Sequence, residues 1–335
     1  MTISIDGPVF VSAETARTVF RWEDAIRALQ AAYSRPAEPA AAPARTIAQS
    51  GNAWLRTLPA APPGGRYFGA KLMGMAMASA TPGVEYVIVL FDRQTSRIAA
   101  FLDANLLTGF RTAATSAAAL DRIAPKGAAR LGVIGSGLEA SMHARAFGAI
   151  RGLSEVVVFS PNPERRQAFA DAIVRDLGVA ARAAASPEEA VSEADIVLAA
   201  ARSHGEVPIL YGDWLKPGAV VVSIGSTVPQ QREIDVSVVQ RVDLVVCDML
   251  EEVLEETGDM LAAVEVGIDV HAKSFSLNAL MTGAIDAQVA AARMPMFKSV
   301  GGGMQDIVIA EMILDKALGA GLAQPLPIQF DSKIL

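Results

Sequence analysis

At 335 residues the chain is long enough for two domains, each with its own core, and 52% hydrophobic against 19% charged residues excludes a largely disordered polymer. A formal net charge of -7, with no basic stripe interleaved with aromatics, excludes nucleic acid as a partner, because phosphate binding needs a concentrated basic surface. The one cysteine, Cys247, lies in the apolar run Leu244-Val245-Val246-Cys247 and cannot form an internal disulfide, which fits a reducing compartment. Asp6 and Pro8, with no basic start or long apolar core around them, argue against a secretory signal, and no uninterrupted apolar run reaches membrane-spanning length. The expectation is a soluble cytoplasmic protein.

Along the chain, Pro and Ala crowd positions 36 to 44, a loop or linker composition. Strand-like runs follow at Trp54 to Leu58, Tyr67 to Met73, Val84 to Phe91 and Ile98 to Leu102, and they predict an antiparallel sheet. A helix is predicted from Asn105 to Ile123. From about residue 130 the pattern changes to apolar strands alternating with helices, the signature of a parallel sheet covered by helices. The strands are Leu131 to Gly135, Glu155 to Phe159, Val179 to Ala184, Asp195 to Ala200, Ala219 to Ile224 and Leu244 to Cys247. Helices are predicted over 138 to 151, over Pro163 to Leu177, and after Ser186-Pro187-Glu188-Glu189, which reads as an N-cap with proline at the first helical position. Six such strands match a doubly wound nucleotide domain. An amphipathic helix from Gly302 to Leu318 could return to the first domain, residues after Pro325 read as a tail, and no internal repeat is visible.

The turn after the first parallel strand, Gly135-Ser136-Gly137-Leu138-Glu139-Ala140, has the composition of a dinucleotide-binding turn. Gly135 permits the tight reversal, Gly137 lets backbone N–H groups approach a pyrophosphate, and Ala140 lets the helix pack close to the strand. The pyrophosphate would sit on the helix N-terminus, where unpaired N–H groups and the dipole favour an anion. About twenty residues on, where a carboxylate would hold the ribose 2′-hydroxyl of NAD, the run is Phe159-Ser160-Pro161-Asn162-Pro163-Glu164-Arg165-Arg166. Ser160, Asn162 and Arg165 or Arg166 could instead accept a 2′-phosphate, so the cofactor leans to NADP, with NAD as the other choice. Glu164 more naturally begins the helix, where its charge suits the dipole. His143, His204 and His271 are isolated, and no metal site is visible.

Three segments, Leu107-Thr108-Gly109-Phe110-Arg111-Thr112-Ala113-Ala114, the Gly135 turn and Phe297-Lys298-Ser299-Val300-Gly301, together resemble the ornithine cyclodeaminase and mu-crystallin family. A fourth, Gly225-Ser226-Thr227-Val228-Pro229 followed by Arg232-Glu233-Ile234-Asp235, falls where that family has a loop after a strand. The resemblance implies an α/β fold: a Rossmann doubly wound parallel sheet over 125–314, plus a split α+β substrate-binding and dimerisation domain made of 1–124 and 315–335, assembled as a homodimer. It implies a small amino or imino acid substrate and a nicotinamide cofactor, and leaves the reaction open among cyclodeamination, ketimine reduction and amino-acid dehydrogenation.

Arg45, Lys71 and Arg111 match the family positions that hold the substrate carboxylate, with Lys71 and Arg111 as the catalytic pair and Val300 beside the substrate. Lys71 stands in the apolar run Phe68-Gly69-Ala70-Lys71-Leu72-Met73, where burial would depress its pKa unless an anion is present, and it could pass a proton to the substrate nitrogen. The cofactor contacts implied are Arg111, Thr112, Gly135, Ser136, Gly137, Leu138, Glu139, Ser160, Asn162, Arg165, Ala201, Gly225, Ser226, Thr227 and Ser299. Ornithine cyclodeaminases carry an aspartate at the position of Thr227, and threonine cannot serve as a carboxylate base. This departure favours NAD(P)H-dependent reduction of a small imino acid, or the reverse amino-acid dehydrogenation, over cyclisation with ammonia release or a non-catalytic ligand-binding role. Arg56, in Trp54-Leu55-Arg56-Thr57-Leu58, is an extra cation. Pointing inward it implies a second substrate carboxylate, as in iminosuccinate; pointing outward it implies nothing. His204 and Glu206 lie in a loop that either covers the nicotinamide or is merely solvated.

Overall fold

The strand-forming runs of the N-terminal third pair into one sheet, and the β/α repeats after it pair into another. The computed structural model describes residues 7–36, 38–76, 83–127, 129–202, 205–331 and 333, so Asp6 and His204 lie outside the described residues. Packing divides the chain into two units, Met1–Arg111 with Gly302–Leu335, and Thr112–Gly301. The divisions fall within the helix Asn105–Ile123 and just before the helix Gly303–Gly319, against the expected 124/125 and 314/315.

In the first unit the strands are β1 (Val9–Val11), β2 (Thr46–Ser50), β3 (Ala53–Ala60), β4 (Tyr67–Ala76), β5 (Val84–Asp92) and β6 (Ile98–Asp103). They pair in the order β1-β6-β5-β4-β3-β2, with the two-residue strand Gln324–Pro325 outside β1. From β2 to β6 every pairing is antiparallel, as the strand runs predict, and β1 joins β6 in parallel. β2 escapes sequence reading because it is an edge strand whose five residues are all exposed, so no apolar alternation marks it. Two helices, Ala13–Val19 and Trp22–Tyr33, lie between β1 and β2, and Ser12 caps the first through the Thr15 N–H. The helix Gly303–Gly319 packs on β3, β4 and β5. It differs from the amphipathic helix expected: its first turns are buried all round, Gln305 and Asp306 included, because the sheet and the N-terminal helices both cover it.

In the second unit the strands are β7 (Ala129–Ile134), β8 (Leu153–Phe159), β9 (Ala180–Ala183), β10 (Ile196–Ala199), β11 (Val220–Ser223), β12 (Leu244–Cys247), β13 (Ser274–Ser276) and β14 (Pro295–Lys298). All pairings are parallel, in the order β13-β12-β14-β11-β10-β7-β8-β9. Strand order reverses direction at β7, so the crevice at the C-terminal ends of β7 and β10 is the topological switch point of a doubly wound sheet. Six strands were expected and the described residues form eight. β13 is three residues with serine at each end, and β14 begins on proline and ends on lysine, so neither reads as a buried strand although all of β14 is buried. The helix expected over 138 to 151 stops at Gly148, while Pro163–Leu177 forms as predicted and Ser186 caps Pro187–Val191. No described helix is long and apolar enough to cross a membrane.

Candidate functional site

Lys71 sits mid-strand in β4, opposite Leu58 of β3 and Ile88 of β5, and is 1% exposed. Its Nζ donates to Asp306 Oδ1 at 2.8 Å. Arg111 brings its Nε to the same oxygen at 3.0 Å and donates from Nη1 to Gln305 Oε1 at 3.0 Å. Two buried cations thus share one buried carboxylate. Burial, and then the Arg111 charge, pull the Lys71 ammonium down to about 8, while Asp306 holds it up.

Arg56 also lowers Lys71, and the strand register explains why. It stands opposite Met73, two residues from Lys71 on the same strand, so Arg56 and Lys71 share a face of the sheet. Its guanidinium lies 5.4 Å from the centre of the Trp54 ring. Arg45 is half-buried just before β2, whose Ile47 pairs with Arg56. Gln305 and Asp306 were not singled out in the sequence, although an amide and an acid on the apolar side of a helix were the available signal.

In the second unit the glycine turn has the backbone it was assigned. Gly135 has φ +120°, its N–H donates to the Phe159 carbonyl at 2.8 Å, and a Cβ there would lie 2.5 Å from the Ala200 carbonyl oxygen. Gly137 is the N-cap of the helix Leu138–Gly148, with open space where a Cβ would point, and Ala140 is fully buried. Leu138 is 56% exposed, and the Glu139 carbonyl pairs with His143 Nδ1 at 2.7 Å. Thr112 is buried in its helix, and the buried His143 also meets Ser116 Oγ, at 3.0 Å, a packing role.

At the end of β8, Ser136 Oγ donates to Ser160 Oγ at 2.8 Å. Asn162 Oδ1 accepts the Arg165 N–H at 2.9 Å and so caps the following helix, leaving Arg165 exposed. Arg166 lies at the strand end: its Nη1 donates to the Ser160 carbonyl at 3.0 Å and its guanidinium covers Phe159 at 5.3 Å.

The loops after β10 and β11 hang on Glu233, which is fully buried. Its Oε1 accepts the Ala201 N–H at 3.0 Å; its Oε2 accepts Ser223 Oγ at 2.6 Å and the N–H groups of Ile224 and Gly225 at 3.0 and 2.8 Å. Burial pushes this carboxyl up to about 7, with Lys298 pulling it back. Lys298 Nζ in turn donates to Ser223 Oγ and Asp259 Oδ2, both at 2.8 Å. A Cβ on Gly225 would meet Glu233 Oε1 at 2.2 Å. Ser226 Oγ donates to the Gln231 carbonyl, and Thr227 donates from N and Oγ1 to Gln231 Oε1 at 2.9 and 3.0 Å. Asp248 fixes the last segment by accepting Ser299 Oγ at 2.7 Å, the Val300 N–H at 3.0 Å and the Gly301 N–H at 2.8 Å. Glu233, Asp248, Asp259 and Lys298 carry these loops, yet the sequence reading gave none of them a role.

The model of the ornithine cyclodeaminase/mu-crystallin family matches residues 8–321. Ketimine reductase mu-crystallin of Mus musculus is 32% identical over 237 residues, 71% of each chain. Iminosuccinate reductase of Paracoccus denitrificans is 29% identical over 247 residues, covering 72% of this chain and 73% of that one. Among solved structures, that of a probable ornithine cyclodeaminase from Bordetella pertussis Tohama I superposes with a TM-score of 0.83 at 30% identity, covering 96% of this chain and all of the other.

Proposed function

Because the chain belongs to the ornithine cyclodeaminase/mu-crystallin family, we propose that it reduces a small 2-imino acid to the amino acid with a nicotinamide cofactor, or runs the reverse dehydrogenation. The observation that carries this reading is the cluster of Lys71 and Arg111 on the single carboxylate of Asp306. A 2-imino acid carries a carboxylate, and buried cations bind such a group in place of water. The names of the mouse and Paracoccus relatives fall in the same reaction class.

The backbone of the Gly135 turn fits a dinucleotide. Gly137 has open space where a Cβ would point, and the N-terminus of the helix Leu138–Gly148 would receive the pyrophosphate. Gly225, Ser226, Ala201 and Ser299 would complete the cofactor contacts, on loops held by Glu233 and Asp248. The bound nicotinamide supplies or takes a hydride at the imine carbon. Lys71, with its ammonium near 8, holds a proton at neutral pH that it can give to the substrate nitrogen directly or through water. Arg111 and Arg45 would neutralise the carboxylate.

Arg56 shares Lys71's sheet face, which supports a dicarboxylic imino acid such as iminosuccinate as substrate. Ser160 with Arg166 at the end of β8 supports NADP over NAD. The open apolar face of the first-unit sheet supports a homodimer, and the buried Cys247 thiol suits a reducing cytoplasm. Cyclodeamination is disfavoured because Thr227 offers a hydroxyl bound to Gln231, not a carboxylate.

A spectrophotometric screen of 2-oxo acids with amines, including oxaloacetate with ammonia, tests the reading through oxidation of NADPH and NADH. Cofactor oxidation is the expected result, fastest with the dicarboxylate and NADPH. Ammonia release from a diamino acid without net cofactor oxidation would mark a cyclodeaminase instead, and no turnover across the panel would mark a binding protein.

A further inference from the structure

We propose that Asp306 is the positioning residue of the carboxylate clamp: it gathers Lys71 and Arg111 onto one oxygen and keeps the lysine in its cationic form for substrate. This deepens the reductase reading and rests on it for its meaning in catalysis. Asp306 lies in the first turn of the helix Gly303–Gly319, fully buried, while Lys71 comes from β4 and Arg111 from the helix Asn105–Ile123. Three elements distant in sequence therefore meet at its Oδ1, with Lys71 Nζ at 2.8 Å and Arg111 Nε at 3.0 Å. Gln305, the preceding residue, takes the other side of the Arg111 fork at 3.0 Å, so the guanidinium is held at two points.

The charges facing Lys71 are Arg111, Arg56 from β3, and Asp306. Two of the three are cations, and burial adds to their effect, so each of these pushes towards a neutral amine. Asp306 alone among them favours the ammonium, by its charge and by its hydrogen bond. A lysine that lost its proton would neither attract the substrate carboxylate nor protonate the nitrogen. The remaining oxygen, Asp306 Oδ2, is buried with no hydrogen-bond partner among the described residues. A carboxylate kept there at that desolvation cost is there for its charge.

The test reads Lys71 directly. Selective labelling of lysine Cε with carbon-13 gives seven signals in the full-length protein, and Lys71→Met identifies the one sought. Its titration is followed in wild type, Asp306→Asn and Asp306→Glu, with no substrate or cofactor present. The expected result is a Lys71 midpoint about one to three pH units lower in Asp306→Asn, the range for loss of a close opposite charge, and largely restored in Asp306→Glu. The same shift should appear in the pH profile of kcat/KM for imine reduction. An unchanged midpoint in Asp306→Asn overturns the proposal. If Asp306→Asn does not fold, the double variant Lys71→Met/Asp306→Asn decides: a recovered cooperative melt supports the pairing, and continued failure to fold overturns it by making the aspartate a packing element. Because the titration needs no turnover, an enzyme that reduced no imino acid would defeat the reductase reading and leave this result standing or falling by itself.

Discussion

At the scale of single residues, Lys71 concentrates the chemistry. A lysine with 1% exposure between Leu58 and Ile88 is unfavourable for stability, and only an anion makes it tolerable. Its folded pKa, about 8, lies below the ordinary lysine value of 10.5, so in the window between them the unfolded chain binds more protons and stability contributed by this group rises with pH. Catalysis runs the other way. With Lys71 as the proposed proton donor, reduction needs its ammonium, which is lost as pH rises through about 8, so kcat/KM for imine reduction should fall through that value. Bound substrate adds a negative charge and should move the break in kcat to higher pH; a kcat profile flat from pH 7 to 10 would remove Lys71 from proton transfer. Lys71→Ala should lower kcat by about 10²- to 10⁴-fold, the range of general acid–base contributions, while the Kd for cofactor, measured by fluorescence titration, stays nearly constant. Arg56→Ala should reduce turnover of a dicarboxylic imino acid far more than that of a monocarboxylic one, since Arg56 lies on the Lys71 face. Equal losses on both substrates would make it a general contributor to the field and not a specificity residue.

At the scale of elements, the glycine turn separates a structural requirement from a functional one. Gly135 holds φ +120° with the Ala200 carbonyl 2.5 Å from any added Cβ, so Gly135→Ala strains the turn whether or not cofactor is present. Gly137 has φ -83° and open space around it, so Gly137→Ala strains nothing in the chain itself. The expected outcome is a Gly135→Ala variant destabilised by about 1–3 kcal/mol, and a Gly137→Ala variant with wild-type Tm but cofactor affinity down about tenfold, ~1.4 kcal/mol. Thermal melts and isothermal titration with NADPH and NADH check both. If Gly137→Ala bound cofactor as wild type does, its N–H face would not be where the pyrophosphate sits. The turn was legible in sequence because its rule is local, a strand, two glycines and a helix within eleven residues. The supports of the neighbouring loops were not, since Glu233 reaches Ala201 across 32 residues, and Asp248 reaches Ser299 and Gly301 across 51 and 53. A buried acid beside an apolar residue, as in Glu233-Ile234, says only that partners exist.

At the scale of the whole molecule, most strands that bury apolar side chains in runs of four or more were visible, and others were not: β1 is apolar but only three residues long, β2 is exposed throughout, and β14 carries Pro295 and Lys298. The same logic exposes a surface. Lys71, Leu58 and Ile88 occupy one face of the first-unit sheet, and strand alternation sends Phe68, Ala70 and Leu72 of β4, with Val89 and Phe91 of β5, to the other. These residues, with Gly69, line an apolar cavity of about 380 Å³, where the Phe68 and Phe91 rings stack at 5.5 Å. Leu55, 45% exposed, adds to the same face from β3. A contiguous apolar sheet face is a liability unless another surface covers it, and a second copy of the chain is the partner always present at equal concentration. Sedimentation of the protein should therefore give twice the chain mass. Leu72→Glu should shift it towards one chain while leaving NADPH binding within about twofold, because a carboxylate placed in an apolar interface loses hydration it cannot replace. A wild-type protein that sediments as a single chain at micromolar concentration would mean that this face is tolerated bare, and the homodimer would have to be abandoned.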